Sequence, residues 1–113
     1  MPSTISYRWG DVVLLVFSLT DVSGTRRRPG LALYDAGDED VMLARITTQK
    51  PRHRTDIRLS DWKATGLVVE SVVRLSKVAT IKKSLVDRRL GVLSAKDRGM
   101  VQRVWSRMFP AAR

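Results

Sequence analysis

The stretch GTRRRPGLALY, residues 24–34, places three consecutive arginines directly before a proline and an apolar run. A planar guanidinium matches two phosphate oxygens at once and stays charged at any physiological pH. Pro29 fixes its own φ and restricts Arg28 to extended conformations, so Arg28 is held more firmly than Arg26 or Arg27. The stretch is therefore either a solvated loop with a run of charge or a site that fixes one guanidinium against a phosphate.

Arginine and hydroxyl side chains are the groups that this sequence offers for chemistry. An RNA strand supplies its own nucleophile, the 2′-hydroxyl. A protein that cuts RNA need only position the phosphate, stabilise the developing charge and move protons. One fixed arginine with a nearby hydroxyl is a minimal set of groups for that reaction.

The sequence lacks the residues that other catalytic mechanisms require. It has one histidine, His53, and no cysteine, which excludes a two-histidine ribonuclease, a thiolate metal site and a cysteine nucleophile. The acidic run DAGDED at residues 35–40 lacks the spacing of a calcium loop, and no P-loop, nucleophile elbow or dinucleotide fingerprint is present. We expect no metal and no cofactor. His53 is either a bystander in an exposed basic loop or a catalytic group.

The charge of the chain is high and uneven. Its 21 Lys and Arg residues and 11 Asp and Glu residues give a net charge of +10, and residues 41–113 hold 17 of the basic but only 5 of the acidic residues. This balance favours an anionic partner, with nucleic acid ahead of a membrane surface or an acidic protein. The longest apolar run, residues 12–19, is too short to span a bilayer, and no secretory signal is visible. We expect a soluble cytoplasmic protein.

Short apolar strands must position these residues within one domain, residues 1–113. The patterns predict strands at Asp11–Phe17, at Gly30–Tyr34 after a loop that carries the arginines, and at Val41–Thr47. The runs VVESVVRL and KVATI predict two more short strands, and residues 84–93 fit either a strand or the start of a helix. The basic stretch TTQKPRHRTD, residues 47–56, predicts a loop or an edge strand.

A longer helix is predicted only near the C-terminus. Ser94, with Asp97 three residues later, resembles a capping box, and Pro110 would end the helix. The stripe to be buried is Val101, Val104, Trp105 and Met108. A single helical turn is predicted in LSDWKATG, with Ser60 as cap and Gly66 as stop. Short strands with one terminal helix predict a mainly β fold, a small barrel packed by that helix.

Three segments in a fixed order resemble the MazF/PemK family of toxin ribonucleases. They are WGDVVLLVFSLTDVSGTRRRPGLAL, VMLARITTQ and SVVRLSKVATIKKSL. A Gly-Asp opens the first strand, an Arg-Pro opens the second and an Ile-Thr ends the third, and the match runs from about Trp9 to beyond Leu85. The resemblance implies an SH3-like barrel of five to seven strands with a C-terminal helix, acting as a homodimer.

The resemblance also implies an activity and partners. Such toxins belong to type II toxin–antitoxin systems and cleave single-stranded RNA, typically mRNA, without a metal, leaving a 2′,3′-cyclic phosphate and a 5′-hydroxyl. A co-expressed antitoxin inhibits them by laying an extended segment, typically acidic, over the RNA site. The expected partners are therefore single-stranded RNA and an antitoxin with an acidic C-terminal segment.

The family's functional positions carry over to individual residues of this chain. The catalytic arginine before the proline falls on Arg28, the catalytic threonine after the isoleucine falls on Thr47, and Arg74 matches a second catalytic or RNA-binding arginine of some members. The remaining residues that we expect to bind RNA are Arg26, Arg27, Thr48, Lys50, Arg52, His53 and Arg54.

The proton acceptor and two rival functions stay open. Ser23 and Ser76 stand where some members carry a carboxylate, so the resemblance assigns no general base. One rival is a non-catalytic SH3-like RNA-binding module, which the missing carboxylates favour. The other is a gyrase-inhibiting toxin of the same fold, against which the Arg-Pro and Ile-Thr pairing argues.

Overall fold

The apolar runs fold into six strands and one helix in a computed structural model that describes residues 5–18 and 25–109. The strands are β1 (Asp11–Ser18), β2 (Thr25–Tyr34), β3 (Asp40–Thr47), β4 (Asp56–Arg58), β5 (Val72–Lys82) and β6 (Val86–Val92). Helix α1 spans Ala95–Met108, and short 3-10 turns span Trp62–Thr65 and Lys83–Leu85. Within the described ranges no helix is both long and apolar enough to cross a membrane.

All strand pairs are antiparallel and form one sheet in the order β4-β5-β3-β2-β1-β6. The turn Trp62–Thr65 lies against β6, where glycines permit close approach of the two backbones. A Cβ added to Gly91 would lie 2.6 Å from the carbonyl oxygen of Thr65, so only glycine fits there. This six-stranded, barrel-like sheet with its C-terminal helix confirms the predicted mainly β, SH3-like fold.

The two faces of the sheet bury different apolar clusters, because side chains alternate between faces along each strand. One face, called the helix face, packs against Val101 of α1. Its buried strand residues include Val12, Leu31, Ile46, Ile57 and Val73. The opposite face, called the groove face, buries Val13, Leu15, Ala32, Val41 and Leu43. The groove face therefore has an apolar floor that no helix covers in the described part of the chain.

Strand β2 begins earlier than the sequence pattern predicts. The predicted loop around the arginines is wrong, because Arg26–Arg28 lie inside β2 and pair with residues 15–17 of β1. Pairing with β1 bonds the backbone groups on one edge of this segment, and the side chains of Arg26 and Arg27 are exposed. Residues 19–24, which hold most of the predicted turn, lie outside the described residues. The arginines are thus fixed by strand geometry as well as by Pro29.

The two short strands predicted at 68–75 and 77–81 are one continuous strand, so that prediction is wrong. β5 pairs with β3 on both sides of an irregularity, since Arg74 faces Arg45 whereas Val78 faces Ala44. Residues 75–77 form the bulged stretch between these pairs, and residues 68–70 form a loop despite their valines. The open segment 84–93 resolves into part of a 3-10 turn followed by β6.

The start of α1 confirms half of the predicted capping box. The hydroxyl of Ser94 accepts a hydrogen bond from the N–H of Asp97 at 3.1 Å. The buried carboxylate of Asp97 does not return that bond and instead accepts from the N–H groups of Ser60 and Asp61, at 3.0 and 2.9 Å. Ser60 therefore does not cap the turn as predicted, since Asp61 holds the cap position. Gly66 ends that turn as predicted, at φ +83°.

The predicted stripe of α1 packs against the helix face. Val101 is fully buried, and Val104, Trp105 and Met108 are partly buried against the same cluster. The helix ends at Met108, and Pro110 lies outside the described residues. Trp62, in the first 3-10 turn, also packs on this cluster.

Candidate functional site

A groove of about 430 Å³ opens on the groove face and is called the cationic groove. Its floor includes Leu15, Gly30, Leu43 and Ile81, and its charged residues are Arg26, Arg28, Arg45 and Lys77. Within the described ranges no carboxylate lines the groove, and none of these four cations forms a salt bridge. Concave, unpaired positive charge above a low-dielectric floor attracts an anion.

Strand geometry separates the three consecutive arginines. Arg28 pairs with Leu15, is half-buried and lines the cationic groove together with Arg26, two residues earlier on the same face. Arg27 points to the opposite face, where its Nε lies 4.0 Å from a carboxylate oxygen of Asp87. Only two of the three guanidiniums therefore reach this groove.

Gly30 leaves the floor of the cationic groove open. A Cβ at this position would lie 3.5 Å from the Ala44 carbonyl oxygen and 3.6 Å from the side chains of Leu15 and Leu43. These are ordinary van der Waals contacts, so the fold itself has room for a side chain at Gly30. Because Gly30 has no side chain, the cationic groove is deeper at this point.

Thr47 lies at the end of β3, on the same face as Arg28. The pairing of β2 with β3 extends as far as Gly30 opposite Arg45, and residues two further along each strand share that face. The observed pairing ends before Arg28 and Thr47, and Thr47 does not line the cationic groove. The buried Thr47 Oγ1 accepts a hydrogen bond from the N–H of Gln49 at 3.2 Å, and its own proton is left to donate.

Arg74 of β5 is buried and forms a bidentate ion pair with Asp56, the residue opposite it on β4. Arg74 Nε and Nη2 donate to the two carboxylate oxygens of Asp56, each at 3.3 Å, and Nη1 donates to Gln49 Oε1 at 3.1 Å. The side chain of Asp56 is fully covered and that of Arg74 is 6% exposed. Arg74 lies in the same cross-strand row as Arg45 but not in the lining of the cationic groove.

Asp56 is held as a carboxylate by its neighbours. Burial alone would raise the pKa of Asp56, but the backbone N–H of Arg52, the Arg74 guanidinium and the N–H of His53 outweigh it and lower that pKa below its ordinary value of 3.8. Both oxygens of Asp56 already accept hydrogen bonds, so this carboxylate holds the Arg74 guanidinium and the backbone of Arg52 and His53 in place.

The predicted RNA-binding residues of the segment 48–54 form an exposed basic loop. They are Thr48, Lys50, Arg52, His53 and Arg54, and none of them lines the cationic groove. Arg54 instead lines a separate cavity of about 550 Å³ with Arg107 of α1. The loop starts directly after Thr47, at the end of the strand that carries Arg45.

Two further observations concern other ligand types. Among the described residues no group of three or more His, Cys, Asp or Glu side chains lies together. An apolar pocket of about 480 Å³ lies beside α1, lined by Trp9, Leu33, Tyr34, Met42, Val101, Gln102 and Trp105. It carries no charged side chain, which distinguishes it from the cationic groove.

Comparison with known proteins places the chain in a family. Residues 8–109 match the family described as PemK-like, MazF-like toxin of type II toxin-antitoxin system. The chain belongs to this family. Curated protein sequences give no significant match to it.

Solved structures of toxins share the fold of this PemK/MazF family member. A mycobacterial endoribonuclease in complex with its cognate antitoxin is 16% identical, with 95% of this chain and 100% of that chain covered at a TM-score of 0.74. The Mycobacterium tuberculosis toxin MazF-mt6 is 22% identical, with coverages of 89% and 99% and a TM-score of 0.68. MazE–MazF from Deinococcus radiodurans is 18% identical, with coverages of 88% and 92% and a TM-score of 0.71.

Four residues of the site are not predicted from the sequence. Arg45 and Lys77 line the cationic groove, and Asp56 and Gln49 hold Arg74. Arg45 had a signal in the sequence, since it interrupts the otherwise continuous apolar run Val41–Ile46 of β3. Lys77 lies in the bulged stretch of β5, and Asp56 meets Arg74 only through strand pairing, so neither position had a local signal. The roles predicted for Arg28, Thr47 and Arg74 remain predictions.

Proposed function

We propose that this chain is the toxin of a type II toxin–antitoxin pair and a metal-independent endoribonuclease acting on single-stranded RNA in the cytoplasm. The observation that carries the proposal is the cationic groove, in which Arg28 and three other cations surround an apolar floor and form no salt bridge within the described residues. Membership of the PemK/MazF toxin family supports it, and two of the similar structures are named endoribonucleases.

The proposed reaction is a transesterification within the RNA strand. The 2′-oxygen attacks the adjacent phosphorus, the bond from phosphorus to the 5′-oxygen breaks, and the products are a 2′,3′-cyclic phosphate and a 5′-hydroxyl. The 2′-hydroxyl proton leaves to a base, and a proton is delivered to the 5′-oxygen. Charge develops on the non-bridging phosphate oxygens, where a fixed guanidinium stabilises the transition state more than the ground state.

In this proposal Arg28 clamps the scissile phosphate, and Thr47 positions or protonates an oxygen. The Thr47 hydroxyl accepts from Gln49 and keeps its proton for donation. Arg26, Arg45 and Lys77 bind flanking phosphates, because phosphate neutralisation dominates affinity for nucleic acid. We assign no proton transfer to Asp56, because both of its oxygens accept hydrogen bonds from Arg74 or from backbone N–H groups and it does not line the groove.

The same groove suits an inhibitor with carboxylates. Similar toxins are solved in complex with an antitoxin. An acidic antitoxin segment would place its carboxylates where RNA places its phosphates and would exclude the substrate. As the family resemblance implies, the active form is a homodimer.

One experiment tests the activity. Purified protein is incubated with single-stranded RNA in EDTA beside the variants Arg28→Ala, Thr47→Ala and Arg103→Ala, with folding monitored by circular dichroism. We expect cleavage by the parent and by Arg103→Ala, whose exposed arginine lies on α1, and loss of cleavage in the other two. Intact RNA with the parent, or undiminished cutting by Arg28→Ala, would overturn the proposal.

A second candidate function is a non-catalytic RNA-binding module. The observation that favours it is the lack of a lining carboxylate in the cationic groove within the described ranges. It predicts that the parent binds single-stranded RNA in a fluorescence anisotropy titration and leaves it uncut. Release of a 5′-hydroxyl product, measured on end-labelled RNA, excludes it.

A further inference from the structure

The carboxylate of Asp56 accepts several hydrogen bonds that order the basic loop, residues 48–54. Its Oδ2 accepts hydrogen bonds from the backbone N–H groups of Arg52 and His53, at 2.8 and 3.2 Å, as well as from Arg74. The backbone N–H of Asp56 in turn donates to the carbonyl oxygen of His53 at 3.0 Å. One fully covered carboxylate thus fixes the path of the chain just before β4.

Gln49 connects the Asp56–Arg74 pair to Thr47. Its side-chain oxygen accepts from Arg74 Nη1 at 3.1 Å and from Arg52 Nη2 at 3.2 Å, and its backbone N–H donates to Thr47 Oγ1 at 3.2 Å. The connection therefore runs from Asp56 through Arg74 and Gln49 to the threonine at the end of β3. Both ends of the basic loop are tied to the same buried ion pair.

Three of the five guanidinium N–H groups of Arg74 already donate to protein acceptors, and little of the side chain reaches the surface. Nε, Nη1 and Nη2 each donate to Asp56 or Gln49, and the residue is 5% exposed. Reaching a substrate would require Arg74 to leave Asp56 as an unpaired buried carboxylate, which is strongly unfavourable. An arginine held in this way orders its neighbours more readily than it binds a ligand.

We propose that Asp56 is a positioning residue, which acts through Arg74 and Gln49 to hold Thr47 and the basic loop in place for RNA, and that Arg74 acts through this pair and not on the phosphate. The inference rests on the proposed endoribonuclease function for its kinetic consequences. The ordering of the loop itself is independent of RNA and is tested separately.

The first test measures the loop without RNA. Backbone amide exchange of Arg52 and His53 is followed by NMR in the parent and in the variants Asp56→Asn, Arg74→Gln and Glu70→Gln. Glu70 forms an exposed ion pair with Arg58 of β4 at 2.8 Å, so its variant is a matched control beside the same strand. We expect faster exchange of both amides in the first two variants and parental exchange in the control. Unchanged protection in Asp56→Asn would overturn the proposal.

The second test measures cleavage of a defined single-stranded transcript that the parent cuts. We expect Asp56→Asn and Arg74→Gln to lose kcat to a similar extent, about 10²-fold for a misplacement of the reacting groups by about 1 Å, and to raise KM as the loop loosens. The double variant should be no worse than either single one, because both remove the same support. Near-parental kcat in Asp56→Asn with a collapse in Arg74→Gln would assign Arg74 to the phosphate and overturn the proposal.

A third variant guards against a general loss of folding. Gln49→Met keeps the length of an exposed side chain and leaves the Arg74–Asp56 pair intact, but it removes the shared oxygen. We expect reduced cleavage at an unchanged melting temperature, and parental cleavage by Gln49→Met would contradict the link to Thr47. If the parent cuts no RNA, the proposed function fails, whereas amide exchange still decides whether Asp56 orders the loop.

Discussion

Arg74 and Asp56 stand directly opposite each other on β5 and β4, and both oxygens of the buried carboxylate receive a guanidinium N–H at 3.3 Å. Such a pair contributes little when compared with an apolar pair of the same shape, but the loss of one partner leaves an unpaired buried charge. The stability of the toxin is therefore expected to depend on the pair being kept or removed as a unit.

Replacement of Arg74 by methionine should lower the free energy of unfolding by about 3–5 kcal/mol, because Asp56 then stays buried without its cation. The double variant Arg74→Met with Asp56→Asn should recover part of that loss. Urea unfolding followed by circular dichroism measures both. Glu70→Gln, which breaks the exposed pair with Arg58, should cost less than about 1 kcal/mol. A double variant as unstable as the sum of the single ones would contradict coupling.

The free energy of unfolding should decrease in acid, and protonation of Asp56 should account for part of that decrease. The pKa of Asp56 is lower in the folded chain than in the unfolded chain, where it is about 3.9. Its contribution is therefore fully present above that unfolded value and is lost as pH falls through the folded value. Urea midpoints at pH 7 and below about pH 4 should differ more in the parent than in Asp56→Asn.

A dependence on acid also remains in Asp56→Asn, because the pKa of Asp35 is lowered too. Burial would raise that pKa, but the N–H of Tyr7 and the Lys83 ammonium outweigh it. Asp35 and Lys83 form a buried ion pair at 2.9 Å. Parallel curves of stability against pH for the parent and Asp56→Asn would rule out the contribution of Asp56.

RNA affinity should decrease with salt in proportion to the cations that meet phosphates. Neutralising Arg45 or Lys77 to glutamine should reduce the slope of log affinity against log salt by about 0.7 for each phosphate that is no longer neutralised. Anisotropy titrations with single-stranded RNA at several salt concentrations measure this slope. Arg103→Gln, an equal charge change on α1, should leave it unchanged, and a slope altered as much by Arg103→Gln would point to charge alone.

Neighbouring arginines of β2 should differ in their effects on RNA binding. Arg26 lines the cationic groove, whereas Arg27 lies on the opposite face near Asp87. Arg26→Ala should therefore weaken affinity for single-stranded RNA more than Arg27→Ala does, although both remove one charge. The comparison at one salt concentration needs only a binding titration, and equal losses would contradict the assignment of faces.

Side chains added at Gly30 should close the groove gradually. Gly30→Ala meets only ordinary contacts and, by restricting the unfolded chain, should stabilise the fold by about 0.4–1 kcal/mol while lowering RNA affinity. Gly30→Leu should lower affinity further by filling the floor. Thermal unfolding and binding are measured on the same samples. Parental affinity in Gly30→Leu would mean that RNA does not enter the groove.

The sequence predicted those elements whose signals are local. β1, β3 and the stripe of α1 follow from apolar periodicity, and Gly66 follows from its backbone freedom. The predicted start of β2 is too late because Pro29 is typical of the beginning of a strand, yet the pairing with β1 continues through Pro29 to Thr25. The predicted cap at Ser60 is wrong because its backbone N–H donates to Asp97, a residue 37 positions later, and Asp61 holds the cap position.

The site was predictable only in part, for the same physical reason. Arg28 and Thr47 were assigned by resemblance, and strand alternation then puts them on one face. Arg45, Lys77 and Asp56 join the site through the registers of β2, β3, β4 and β5, which depend on long-range pairing. Arg74 carried an expected role at the phosphate, but its partner lies 18 residues earlier and is not evident from local sequence.

The alternation of side chains along β2 gives its adjacent arginines to two different surfaces. Arg26 and Arg28 face the cationic groove, whereas Arg27 lies on the opposite face near Asp87. A slip of one residue between β2 and β1 would exchange these faces, but it would also turn the fully buried Leu31 away from the helix face. The packing of Leu31 on the helix face therefore decides which guanidiniums reach the groove, so a core residue that touches no ligand sets the charge pattern of the opposite surface.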